Sequence, residues 1–206
     1  MEFKEGSNTG QNNTYKEVIL GNNSQNIGQA GKVIINNNGT CSARIAKDYA
    51  KLRDAIGEKV DPKTKDKVRY YETKIPGTKD VIEKLNDGGF KPSRIKEAER
   101  LKEFWGKEAL RYADYPYAQD INFLLYTRIV REFEVYITPM VEDGEPLRDI
   151  LVKIHEQIVK PIMEILESSG EDDENLRYTY DHIYGIIYYL TGNCHLNWKD
   201  YDNDNL

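Results

Sequence analysis

Cys194 and His195 stand side by side in YYLTGNCHLNW, the stretch from Tyr188 to Trp198. A thiol and an imidazole are the groups from which a nucleophilic dyad or a zinc site is assembled. Structural zinc, however, takes four closely spaced N or S ligands, and the chain holds only two cysteines, Cys41 and Cys194, and three histidines. His182 lies roughly three helical turns before the pair, and His155 belongs to a different helical segment. A catalytic thiol also needs a base or cation that lowers its pKa. Adjacent residues on an extended segment project in different directions, so Cys194-His195 alone is not a dyad.

The other candidate chemistry is equally incomplete. His155-Glu156 begins like a zinc-peptidase helix, but Val159 occupies the place of the second ligand. Glu171, Asp172, Asp173 and Glu174 could hold magnesium in a nuclease, yet they form a polar run without a nearby histidine or phosphate-binding motif, as an acidic interhelical loop does. GxxxxGK[ST], GxGxxG after a strand and GxSxG are all missing, which argues against nucleotide turnover and the usual hydrolase elbow. No catalytic residue, metal or cofactor is expected.

A structural role uses more of the same stretch. Ile183, Ile186, Ile187 and Leu190 recur at helical spacing, Gly192 or Asn193 can supply a left-handed C-cap, and Leu196 with Trp198 can fold back onto the core. Asn193 and His195 are then expected to bond backbone groups exposed at the helix end. Leu190, Gly192, Asn193, His195 and Trp198 are therefore read as an anchor.

The elements that must position this anchor are mostly helices. Ile45, Tyr49, Leu52 and Ile56 repeat at i, i+4, i+7 and i+11, with Gly57 as a stop. DPKTKDK reads as a charged, mobile connection. Thr78 is expected to cap a short helix that Gly88-Gly89 ends. Ile95, Leu101, Phe104, Trp105 and Leu110 form the stripe of a long helix, and Tyr115-Pro116 separates it from a second. That second helix carries Ile121, Leu124, Leu125, Ile129, Phe133 and Tyr136 or Ile137, with Pro139 as its stop. A further amphipathic helix should kink at Pro161. The last helix, LRYTYDHIYGIIYYLTG, should end at Gly192.

The first forty residues differ in character. Nine are Asn, and two strand-like runs, YKEVIL (15–20) and KVIIN (32–36), flank GNNSQNIGQAG. Val18, Ile19, Leu20, Val33, Ile34 and Ile35 are too apolar for a solvated tail. An isolated hairpin is marginal in water, so residues 1–40 are read as a β-arm that pairs with another copy. The expected fold class is mainly α: a helical bundle of about five to seven helices over 41–206, preceded by a short N-terminal β-hairpin arm.

Composition fits a hydrated helical protein: 39% hydrophobic residues can fill a core, while 31% charged residues and a mean hydropathy of -0.72 require a large wet surface. Apolar runs such as Ile183–Leu190 fall far short of the ~20 residues a spanning helix needs. MEFKEGSNTG lacks the basic and apolar regions of a secretory leader, so a cytoplasmic location with two free thiols is expected. Charge is asymmetric: residues 1–110 hold 21 Lys/Arg against 16 Asp/Glu, and residues 111–206 hold 8 against 19. The basic half could meet phosphate, although Lys/Arg interleaved with Asp/Glu usually marks a solvated helix surface.

Three runs carry a family resemblance: YPYAQDINFLLYTRIVREFEVYITPMVEDGEPLRDIL, IHEQIVKPIMEIL and HIYGIIYYLTGNCHLNW. Residues 112–199 resemble the C-terminal module of bacterial ABC-three-component conflict systems, the group that includes Lamassu-type anti-phage defence. GNNSQNIGQAGKVIINN is similar to short Asn/Gly-rich β segments placed ahead of modules in such proteins. The resemblance implies a module that links an effector to an SMC-like ATPase and a small middle component. Residues 41–111 are too short and motif-poor for a familiar effector, so no catalytic residue carries over. The resulting expectation is a non-enzymatic adaptor that oligomerises through its arm, with any DNA contact indirect and no membrane contact. Two alternatives stand beside it: an unfamiliar hydrolase or nuclease, and a DNA-binding adaptor using the basic helices within 44–107.

Overall fold

The computed structural model describes residues 38–52, 62–74, 76, 78–170 and 176–201. All but the first two belong to the unit Thr40–Leu206. The elements are α1 (Asn38–Leu52), α2 (Pro62–Glu72), α3 (Val81–Asp87), α4 (Pro92–Arg111), α5 (Pro116–Tyr136), α6 (Thr138–Glu142), α7 (Leu147–Ile154), α8 (Lys160–Gly170) and α9 (Tyr180–Gly192). A π-helical turn, His155–Val159, joins α7 to α8. The fold is mainly helical, with no strand among the described residues. The expected β-arm residues Val18, Ile19, Leu20, Val33, Ile34 and Ile35 lie outside the described residues. Asn38–Thr40, read above as the end of the arm, open α1.

Proline and cap chemistry set most helix ends. Pro92 and Pro116 occupy the first turns of α4 and α5, where a missing N–H costs nothing. Pro62 likewise opens α2, so the DPKTKDK segment expected as a mobile connection runs into a helix. Asp80, not Thr78, caps α3: its carboxylate accepts from Glu83 N–H at 2.9 Å, and Glu83 accepts from Asp80 N–H at 2.8 Å. α5 ends at Tyr136, just ahead of Pro139 as its stop, and Pro139 sits in the first turn of the short α6. Just before Pro161, where the sequence predicts a kink, the helix widens into the π turn. There Lys160 N–H reaches back to the His155 carbonyl, which widens the turn that would meet the proline ring.

The apolar stripes converge on one core. Trp105 from α4, with Tyr126 and Phe133 from α5, are its largest fully enclosed side chains. Ile95, Leu101, Ile121, Leu125, Ile129 and Phe133 are buried as their spacing requires. Of the Tyr136/Ile137 pair, Ile137 is buried and Tyr136 exposed, while Leu110 is 77% exposed, beyond the reach of the stripe. The last helix starts later than its pattern suggested: Thr179 caps it, while Leu176 and Tyr178 insert from an extended lead-in. Tyr49 Oη donates to the Leu176 carbonyl at 3.1 Å, tying α1 to that lead-in.

α4 and α9 pack closely along each other. A Cβ on Gly185 would stand 2.6 Å from the Leu101 carbonyl oxygen, so only glycine permits this approach. The pairing holds the end of α9 beside α3, where the segment rich in polar groups begins.

Candidate functional site

The chain reverses after α9 through a Schellman turn. Cys194 N–H bonds the Thr191 carbonyl at 3.2 Å, and His195 N–H reaches the Leu190 carbonyl at 2.9 Å. The left-handed residue of this turn is Cys194, at φ 71°, and not Gly192 or Asn193 as expected. Gly192 is still helical; a Cβ there would meet Lys102 Cε at 3.1 Å. Its small size serves the approach of α4 rather than the turn.

The polar groups of this segment reach α2, the lead-in to α3, α3 and α9. Asn193 Nδ2 donates to the Tyr71 carbonyl of α2 at 3.0 Å. The His195 ring lies against Tyr70 and Tyr71, at 5.2 and 5.1 Å between centroids. Burial pushes its pKa below the usual imidazole value, although the Tyr70 and Tyr71 carbonyls favour the charged ring; Lys84 disfavours it further. Its Nε2 meets no hydrogen-bond partner among the described residues.

Cys194 Sγ donates to Thr78 Oγ1 at 2.6 Å. Lys84 of α3, only 3% exposed, sends Nζ to Asn197 Oδ1 at 2.9 Å and to the Leu196 carbonyl at 3.3 Å. Burial lowers the pKa of this amine, and the adjacent Cys194 sulfur acts in the opposite direction. Trp198 is buried, with Nε1 donating to Thr191 Oγ1 at 3.0 Å and its ring edge-on to Phe90 and Phe133. Leu190 and Leu196 are fully buried. Leu190, Gly192, Asn193, His195 and Trp198 thus lie in one segment, in which Trp198 bonds back to Thr191 of α9 and Asn193 bonds out to Tyr71 of α2.

This arrangement separates the groups that could do chemistry. The Cys194 sulfur faces Thr78 and Lys84, whereas the His195 ring faces Tyr70 and Tyr71. His182 accepts a hydrogen bond from Thr179 N–H at 3.0 Å at the other end of α9 and packs on Phe104, and burial lowers its pKa. His155 bonds Tyr184 Oη at 3.1 Å. Among the described residues no group of three or more His, Cys, Asp or Glu could hold a metal. Glu171–Glu174 lie outside the described residues.

Lys84, Thr78, Tyr70 and Tyr71 are the members of the turn that sequence reasoning missed. Lys84 carried one signal, since it lies three residues after Val81 and beside Leu85 on the face that α3 buries. Tyr70 and Tyr71 carried none, because they follow the charged DPKTKDK run, which gives no sign of the helix they close.

A second polar chain runs through the core. Trp105 Nε1 donates to Tyr126 Oη at 3.1 Å, and Tyr126 bonds Glu72, whose pKa burial raises. Tyr178 Oη donates to buried Asn122 Oδ1. Two clefts open near these helices. One, of about 250 Å³, borders Trp105, Tyr178 and His182. The other, of about 600 Å³, lies between the start of α4 and the α7–π turn. No described helix is long and apolar enough to cross a membrane.

Residues 80–198, more than half of the chain, match the family model described as C-terminal domain 9 of the ABC-three component (ABC-3C) systems. The match begins at the α3 cap, well before residue 112, and ends at Trp198. No curated protein and no solved structure matches.

Proposed function

Because the chain belongs to the family of C-terminal domain 9 of the ABC-three component systems, we propose that it is a non-catalytic adaptor of an anti-phage defence complex. The helical domain joins an SMC-like ATPase and a middle component, and the N-terminal arm holds copies of the chain together in the cytosol. Supporting this reading is the use made of TGNCHLNW, the segment with the densest chemistry. Asn193, Cys194 and Trp198 spend their polar groups on Tyr71, Thr78 and Thr191. Groups committed to joining helices are not presented to a substrate. The apolar residues Val18, Ile19, Leu20, Val33, Ile34 and Ile35 support pairing of arms, since strand exchange satisfies the edge groups of both partners.

The test is co-expression of the tagged chain with its genomic neighbours, with mass spectrometry of the eluate and light scattering of the complex. Recovery of an ATPase in a defined complex is expected. Recovery of the chain alone would overturn the adaptor reading. Deleting residues 1–40 should lower the scattering mass, and an unchanged mass would overturn the role of the arm.

A further inference from the structure

The cleft between the start of α4 and the α7–π turn differs from the anchored turn: of its polar side chains His155 bonds Tyr184, while its basic groups form no ion pair with a described residue. Lys91, Arg94 and Arg148 border it, all exposed, and no described carboxylate lies within ion-pair distance of them. Glu156 is the single carboxylate among the described residues of the lining, so their sum is net positive. No described side chain caps the α4 N-terminus, so the positive end of a 20-residue helix adds to the same field. Between these charges the floor is apolar. Leu147 and Leu151 stand four residues apart on α7, and neighbouring Val152 is 49% exposed. The volume of about 600 Å³ is that of an ordinary binding cleft.

We propose that this cleft docks a short acidic amphipathic helix of a partner protein. The proposal rests on the adaptor reading and names the surface and the kind of partner. Apolar side chains of that helix fill the strip over Leu147, Leu151 and Val152, while its carboxylates meet Lys91, Arg94 and Arg148. A helix suits the cleft better than an extended peptide, because the described fold offers no sheet edge to satisfy an extended backbone. α7 is 8 residues long, about 12 Å, which matches roughly two turns of the docked helix. A basic partner is disfavoured by the sign of the rim, and nucleic acid, which that sign attracts, by the apolar floor of Leu147, Leu151 and Val152 between the charges.

The probe is a fluorescein-labelled helical peptide of Glu and Leu, about twelve residues long, titrated into the full chain by fluorescence anisotropy. Binding is expected, weakened at least ~10-fold in R94E/R148E and reduced as salt is raised. Peptides with Lys replacing Glu, or Ala replacing Leu, should not bind. Equal binding to R94E/R148E, equal binding of the Lys peptide, or no binding of the Glu/Leu peptide would each overturn the proposal. Both arginines are exposed, and an unchanged circular-dichroism melt verifies that the variant folds.

The same variant in the co-expressed complex separates this proposal from the adaptor reading. Loss of the partner supports the cleft. Retention of the partner by R94E/R148E overturns the cleft alone, and failure of the wild-type chain to retain any partner overturns the adaptor reading. A fall in the scattering mass of isolated R94E/R148E would assign the cleft to a second copy of this chain and overturn a foreign occupant.

Discussion

Trp198→Ala tests whether the segment after α9 pins the fold. Trp198 is 5% exposed, and its ring lies 4.8 Å from Phe90 and 5.5 Å from Phe133 between centroids, nearly perpendicular to both. Burying a tryptophan removes about 150–250 Å² from water. At roughly 25 cal/mol per Å² this corresponds to about 4–6 kcal/mol, part of which the alanine retains. The hydrogen bond adds less, because Thr191 Oγ1 still donates to the Ile187 carbonyl after Nε1 is gone. The expected loss is therefore about 3–5 kcal/mol, in line with aromatic truncations in other cores. Urea unfolding followed by far-UV circular dichroism reads it directly, and the slope of the transition shows whether the unfolded ensemble has changed. Trp198→Phe, which keeps a ring against Phe90 and loses the N–H, should cost about 1–2 kcal/mol. A loss below about 1 kcal/mol for Trp198→Ala at unchanged slope would refute the pinning argument.

Other residues give independent checks. Gly185→Ala should destabilise by about 1–3 kcal/mol, because its Cβ would meet the Leu101 carbonyl at 2.6 Å, a clash that exceeds the gain in helix propensity. Gly106→Ala meets only Tyr189 Cε2 at 3.9 Å, so it should be neutral or stabilise by up to ~1 kcal/mol; equal melting shifts for the two glycines would contradict the packing. At the left-handed position, Cys194→Gly should leave the protein about 1 kcal/mol more stable than Cys194→Ala, and Cys194→Val should be the worst of the three. Burial, then the nearby Asp120, raises Asp48 from 3.8 to about 6, against the opposing pull of Arg44, Lys51 and Lys47. The folded chain thus holds this proton more tightly than the unfolded chain. The carboxyl costs nothing below pH 3.8 and destabilises as pH rises toward about 6, by at most about 1.4 kcal/mol per pH unit. Asp48→Asn should remove that slope from a series of urea titrations; superimposable pH profiles would count against it.

The amino-acid sequence by itself determined the helical class, the core stripes through Ile95, Leu101, Ile121, Leu125, Ile129 and Phe133, and the break at Tyr115-Pro116. These follow from local periodicity and from the backbone limits of proline, which need no partner to act. It also carried the family resemblance and the separation of Cys194 from His195 as a reactive pair. The tertiary structure decided which residue of the final turn is left-handed, and chose Cys194 over Gly192. Gly192 was needed against Lys102, and the thiol found Thr78, more than a hundred positions earlier. It likewise buried Lys84 under the C-terminal segment, made a helix of the stretch presenting Tyr70 and Tyr71, and left Leu110 in solvent. Such outcomes depend on which surfaces meet across long sequence separations, and neither helical period nor residue type records that information.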